Sequence, residues 1–156
     1  MRTTVQVVRP VHRDEVPYMV GMGKRLHAES MFSHMDYNED ELIGFVQQAM
    51  QSPYTFFWCI VDQEQEVPIG MLLATIQKSY FGKDFVANDL VIMVEKEHRG
   101  SCGSALASII NEYKQWAFKS GAKRVYLGTS TGIDPENAEA LYKRVGFSKI
   151  GVLYEA

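Results

Sequence analysis

Cysteine is scarce in this chain: Cys59 and Cys102 are its only two in 156 residues. One lies in an apolar run and the other in a glycine-bearing turn. Neither a disulfide framework nor a C-x-x-C metal spacing is present, so no metal is expected and a reducing, cytoplasmic compartment is the default. Long hydrophobic runs are also missing. None approaches a membrane span, and no apolar stretch follows the first residues as it does in a secretory signal, so no membrane partner is expected. Excess positive charge is lacking too. The net charge is −3 with both signs mixed along the chain, which gives no support for a nucleic-acid partner. Repeats, linkers and low-complexity segments are absent, and the length suits one domain spanning 1–156.

What is present alternates between strand and helix signals. Val5 to Val11 is β-branched, with Pro10 suited to a strand end. Asp14 and Glu15 precede Val16-Pro17, a helix start with proline in its first turn, and that helix is expected to run to about His27. A polar and aromatic loop, Ala28 to Tyr37, follows. Asn38 is a good N-cap for a second helix carrying Leu42, Ile43, Phe45, Val46 and Met50, which Ser52-Pro53 ends. Tyr54 to Val61 and Ile69 to Ile76 read as a hairpin, and Phe85 to Val94 as a further strand. The last of these ends in the apolar run Leu90 to Val94, which suggests burial on both faces. A helix from about Ser104 to Lys119 follows, then a strand at Arg124 to Leu127, a short helix from Asp134-Pro135 to Arg144, and a last strand from Phe147 to Leu153. The expected fold class is α/β: one mixed sheet in the order β-α-α-β-β-β-α-β-α-β.

The segment Glu97-His98-Arg99-Gly100-Ser101-Cys102-Gly103-Ser104 joins the apolar strand to the longest helix. A glycine turn that opens a helix leaves several N–H groups pointing outward at the positive end of the helix dipole, a ready site for phosphate. Arg99 adds a cation beside it. There is no Gly-Lys-Ser/Thr, which disfavours a P-loop NTPase, and no acidic residue where a dinucleotide site needs one. Taken alone, the turn equally well only relieves steric crowding.

A second stretch, Asn137-Ala138-Glu139-Ala140-Leu141-Tyr142-Lys143-Arg144-Val145-Gly146-Phe147, reads alone as a short amphipathic helix capped by Gly146. The pair, at this separation and with a strand between, resembles the GNAT (Gcn5-related) N-acetyltransferase family. That family's loop follows Arg/Gln-x-x-Gly-x-Gly/Ala, and its later helix follows Asn-x-x-Ala-x-x-Leu-Tyr-x-x-x-Gly-Phe. Asn137, Ala140, Leu141, Tyr142, Gly146 and Phe147 fit the second pattern, Ala140 standing one place from the commonest Ala, which Ala138 also meets. The loop departs from the first. Counted from Arg99, the glycine positions fall on Cys102 and Ser104; counted back from Gly103, they fall on Ser101 and Gly103, with His98 in the Arg/Gln place. The chain also stops at Ala156, where the family's final strand is expected to be short or missing.

The resemblance implies acetyl-CoA as co-substrate. Arg99, Gly100, Ser101, Cys102, Gly103, Ser104 and Arg144 are then expected near its phosphates, backbone near Met93 and Val94 along its pantetheine arm, and Asn137 and Tyr142 beside that arm. Tyr142 corresponds to the family's general acid, a phenol with a pKa of about 10 facing a thiolate whose thiol pKa is about 8.5. The acceptor is a primary amine on a small molecule or peptide. Glu95 is the first choice of base, ahead of Glu97 and Asp89. Glu29, His27, His34 and Asp36, with Phe32 and Tyr37, are candidates for the acceptor side. The alternative is a non-catalytic acyl-CoA-binding or protein-interaction module on the same fold. Exposed strand edges allow a homodimer.

Overall fold

Among the described residues, five strands form where β-branched and aromatic residues cluster: β1 (Gln6–Pro10), β2 (Thr55–Asp62), β3 (Val67–Lys78), β4 (Phe85–Val94) and β5 (Ala122–Tyr126). The helices between them are α1 (Val16–Glu29), α2 (Glu39–Ala49), α3 (Gly103–Lys119) and α4 (Pro135–Arg144). The computed structural model describes residues 5–129 and 131–156. Among these no helix is long and apolar enough to cross a membrane, and no group of acidic, His or Cys side chains could hold a metal.

Local signals set most of the boundaries. Asn38 accepts the Glu41 N–H at 3.0 Å and so caps α2. Pro17 sits in the first turn of α1, where its missing N–H costs nothing. The entry to α1 is fixed by Arg9 on β1, whose guanidinium grips both Glu15 oxygens at 2.8 Å each. Glu15 also accepts the His12 N–H at 2.9 Å. The Arg9 guanidinium holds the Glu15 carboxyl at about 2, well below its usual range.

The strands lie in the order β1-β2-β3-β4-β5. The first four are antiparallel, and β5 runs parallel to β4 because α3 carries the chain back across the sheet. Alternating side chains cover both faces. Phe56, Ile60, Leu72, Ala74, Ile76 and Ala87 pack under α3 through Ile109, Ile110, Tyr113 and Ala117. Phe57, Cys59, Val61, Met71, Leu73 and Met93 pack under α1 and α2 through Val16, Met19, Val20, Met22 and Val46. Cys59 is fully buried there, and burial pushes its thiol up to about 11. A close approach within this layer depends on Gly23: a Cβ would stand 2.6 Å from the Tyr37 hydroxyl, which donates to the Val20 carbonyl at 2.7 Å.

The expected mixed α/β sheet is thus the one observed, with one element fewer. Residues 148–156 form no strand, and Ile150, Val152, Leu153 and Tyr154 are exposed; Phe147 alone tucks against the α3 layer. The alternating apolar pattern is compatible with a strand, but a strand forms only where an edge takes it up, and among the described residues the outer edge of β5 stays unpaired. Burial along β4 also differs from expectation. Leu90 is 51% exposed, because the register between β3 and β4 skips it: Leu73 pairs with Val91 and Ala74 with Asp89. The extra residue flips the alternation, so Ala87 and Asp89 share the α3 face while Met93 faces α1.

Candidate active site

The site begins where β4 and β5 part. Their parallel pairing covers Phe85 to Asn88 against Ala122 to Tyr126 and then stops. From Asp89 onward β4 has β3 on one side and, among the described residues, no strand on the other. Three side chains from three elements take over the backbone groups at the end of β5. Tyr113 of α3 donates its hydroxyl to the Tyr126 carbonyl at 2.9 Å. Asp89 of β4 accepts the Gly128 N–H at 3.0 Å. Tyr142 of α4 donates to the Gly128 carbonyl at 2.9 Å.

These groups are only partly hydrated, and their ionisation reflects it. Burial pushes the Asp89 carboxyl up to about 6, against the lowering effect of the Gly128 N–H. Burial, and then the Asp89 charge, raise the Tyr142 phenol above its ordinary value. Tyr142 therefore stays protonated at any physiological pH and serves better as a hydrogen-bond donor than as a group that gives its proton away completely.

The other end of the opening is the start of α3. A 3-10 turn at Lys96–His98 and Gly100, at φ +89, bend the chain into a helix that begins at Gly103 with Cys102 as N-cap. A left-handed φ at that turn suits glycine alone at no cost. The first-turn N–H groups of α3 lack acceptors within the helix. The Arg144 guanidinium, from the last turn of α4, reaches this end: a Cβ on Gly103 would lie 3.7 Å from its Nη2. Arg144 is exposed and makes no ion pair with a described residue. Unpaired helix N–H groups, an absent side chain and a free guanidinium together fit a phosphate.

The expected site residues fall into two sets. Gly100, Ser101, Cys102, Gly103, Ser104 and Arg144 lie around the α3 start. Of these, Cys102 is 1% exposed, with its thiol raised by burial rather than lowered by the helix, so only its backbone is available. Met93 and Val94 are buried at the end of β4. Tyr142 lies at the parting. Asn137 is exposed at the start of α4, where its amide donates to Asp134 at 2.5 Å. Arg99 points elsewhere: it forms a two-pronged pair with Glu29 of α1 and donates from Nε to the Val94 carbonyl at 3.1 Å. Glu95 is held by Arg25 of α1, with Nε at 3.0 Å and Nη2 at 2.9 Å. These two pairs tie α1 to the end of β4 around a cavity of about 250 Å³, lined in part by Glu29, Met93, Glu95 and Glu97. His27 packs against the Tyr37 ring at 5.1 Å, and Tyr37 is engaged within α1. The sequence placed Asp89 behind Glu95; the missing signal was the bulge at Leu90, which sets the face Asp89 occupies.

A mixed sheet whose one parallel strand pair opens at its C-terminal half, beside a helix N-terminus, sets the class of α/β protein to which this chain belongs. The family model described as the acetyltransferase (GNAT) family matches residues 9–147, and the chain belongs to that family. Solved structures agree in fold. Glucosamine-6-phosphate N-acetyltransferase from Arabidopsis thaliana superposes with a TM-score of 0.73 at 11% identity, covering 97% of both chains. An aminoglycoside acetyltransferase from an uncultured soil metagenomic sample gives 0.69 at 19%, also covering 97% of both. Aminoglycoside N-acetyltransferase AAC(6')-Iy, solved in complex with CoA, gives 0.73 at 16%, covering 99% of this chain and 97% of that one. A comparison with curated proteins gave no match.

Proposed function

We propose that residues 1–156 act as one domain, an acetyl-CoA-dependent N-acetyltransferase that passes an acetyl group directly to a primary amine. The observation that carries this reading is the parting of β4 from β5, with Tyr142 at its apex and Arg144 beside Gly103 at its mouth. The free side of β4 around Met93 and Val94 offers backbone groups to an amide-bearing arm, as a sheet edge does. The α3 N–H groups and Arg144 hold phosphates at the mouth. Acetyl-CoA supplies an acetyl group already activated as a thioester.

The chain's own groups then do three things. Backbone N–H groups on the open side of β4 meet negative charge that develops on the acetyl oxygen. Tyr142 swings its hydroxyl from the Gly128 carbonyl to the sulfur and steadies the departing thiolate by hydrogen bonding. A carboxylate takes the proton that the amine sheds. Asp89 suits that task better than Glu95, because no cation holds it and burial tunes it to about 6, whereas Glu95 would first have to release Arg25. The cavity beside α1 is lined by Glu29, Glu95 and Glu97 together with Arg25 and Lys96; Arg99 and Arg25 already pair Glu29 and Glu95, which leaves Glu97 to meet a cationic group elsewhere on the acceptor, a small molecule or a peptide.

The test is titration calorimetry with acetyl-CoA on the wild type and on Gly103→Glu, followed by CoA release over an amine panel with Tyr142→Phe as control. Micromolar binding that disappears in Gly103→Glu, with turnover reduced about a hundredfold in Tyr142→Phe, is the expected result. Binding without turnover over the whole panel would replace this reading with a non-catalytic acyl-CoA-binding module.

A further inference from the structure

The end of the sheet away from the opening has an unusual surface. β4 and β5 both start there, α3 ends there, and the β3–β4 hairpin turns there. Tyr80 and Phe81 form the hairpin tip, 98% and 81% exposed, packed edge to face with ring centroids 5.0 Å apart. Tyr54 and Phe85 stack on each other at 6.1 Å just behind it, both partly exposed, and Phe118 in the last turn of α3 is 54% exposed. Lys78 and Lys83 flank the hairpin tip in the chain, and Lys119 and Lys123 flank the corner between α3 and β5. Lys78 pairs with Phe85 and Phe85 with Ala122, so the lysines of the hairpin and of the α3–β5 corner lie across three adjacent strands. All four are exposed, and none makes an ion pair with a described residue. Asp84 is the one carboxylate in the segments Lys78–Phe85 and Phe118–Arg124, in a chain whose net charge is −3. The molecule is therefore polar, with one cationic, aromatic end on an otherwise acidic body.

We propose that this end docks on an anionic lipid membrane, with Tyr80 and Phe81 inserted at the headgroup level and the four lysines over the lipid phosphates. Aromatic rings flanked by lysines are the combination that settles at a membrane–water interface, where the rings find apolar depth and the amines find anions. Two weak signals, apolar insertion and basic charge, are together what reversible surface binding needs. The shape favours a membrane over the other polyanions. The rings stand on a convex tip, which enters a soft surface, whereas a protein partner must present a matching pocket. Single-stranded nucleic acid needs ring faces free for stacking, and here the paired rings turn faces and edges to each other. That no helix among the described residues is long and apolar enough to span a membrane does not oppose this, since peripheral docking needs none. The proposal is independent of the acetyl-transfer reading, because none of these residues lies on the open part of β4.

The experiment is co-sedimentation of the full chain with vesicles of phosphatidylcholine alone or containing about 30% phosphatidylserine. The expected result is binding to the anionic vesicles only, weakened as salt rises from about 0.1 to about 0.5 M. Tyr80→Ser with Phe81→Ser, and separately Lys78→Glu with Lys83→Glu, should each lower the bound fraction about tenfold. Exposure at these positions leaves the melting temperature unchanged. As a second readout, Tyr80→Trp should shift its emission to the blue on anionic vesicles and be quenched by brominated lipid. No binding, equal binding to neutral vesicles, undiminished binding by both double variants, or binding to oligothymidylate in place of vesicles would each overturn the proposal.

Discussion

The two halves of β4 make different kinds of contact. From Phe85 to Asn88 it is sealed on both sides by backbone, by β3 and by β5. From Asp89 to Val94 one side is open, and side chains from β4, α3 and α4 satisfy what the ladder no longer does. Backbone ladders are interchangeable along a sheet and carry no chemistry of their own. Once a carboxyl and two phenols replace them, the same polar groups are held by titratable side chains. The difference teaches that the opening is built by substitution of partners: the Tyr126 carbonyl and the Gly128 N–H and carbonyl each keep a hydrogen-bond partner.

The sharpest way to break the contrast is to place a charge in each half. Ala87 is fully buried between Ile76 and Val125, and Ala87→Asp should cost upwards of about 4 kcal/mol and abolish cooperative melting. Leu90→Asp, three residues on but in the bulge, should cost less than about 1 kcal/mol. Equal losses at the two positions would mean that the bulge does not loosen the strand.

At the mouth, Arg144→Glu sets a carboxylate where an anion is expected, and acetyl-CoA affinity by calorimetry should fall about a hundredfold with no change in melting temperature. At the apex, Asp89→Asn keeps the acceptor for Gly128 and removes the charge. In the wild type, kcat/KM should rise through a limb near pH 6 as Asp89 ionises. The variant should lose that limb and about tenfold in rate, whereas Glu95→Gln should keep the limb. The opposite pattern would move the base to Glu95. The same carboxyl affects stability. Because folding raises its pKa, the stabilisation is complete below about pH 4 and is lost as pH climbs through about 6.

The last effect lies at the entry to α1, away from the opening. Glu15→Gln should cost about 2 kcal/mol near neutral pH, since it leaves Arg9 with a neutral partner. Folding lowers the Glu15 pKa, so its contribution is present above about 4.5 and disappears as pH falls toward 2. Urea midpoints at pH 7 and pH 2.5 should therefore differ for the wild type more than for the variant.

Much of this was legible from residues close together in the chain. The Asn38 cap, Pro17 in the first turn of α1, the glycine turn opening α3 and the Tyr142 helix all depend on interactions within a few residues, and local chemistry decides them. The strand expected at 147–153 and the burial of Leu90 on both faces both depend on strand pairing, on whether an edge takes up the segment and on where a bulge falls, and an apolar pattern fixes neither. Arg99 and Arg144 show the same limit. Both looked suited to phosphate, but Glu29 on α1 draws Arg99 away, and only the crossing of α4 over the start of α3 brings Arg144 beside Gly103.

The sequence by itself determined the mixed sheet, the helix that opens on a glycine turn, and the tyrosine in the family's place. Periodicity, capping and turn preferences act over a handful of residues, so these are written in order along the chain. Only the tertiary structure decided that Asp89 faces Tyr142 across the Gly128 peptide, that Arg144 attends the helix start, and that lysines and aromatic rings from two distant segments share one end of the sheet. Those outcomes follow from one bulged residue and two helix crossings, which bring together side chains that no spacing in the sequence connects.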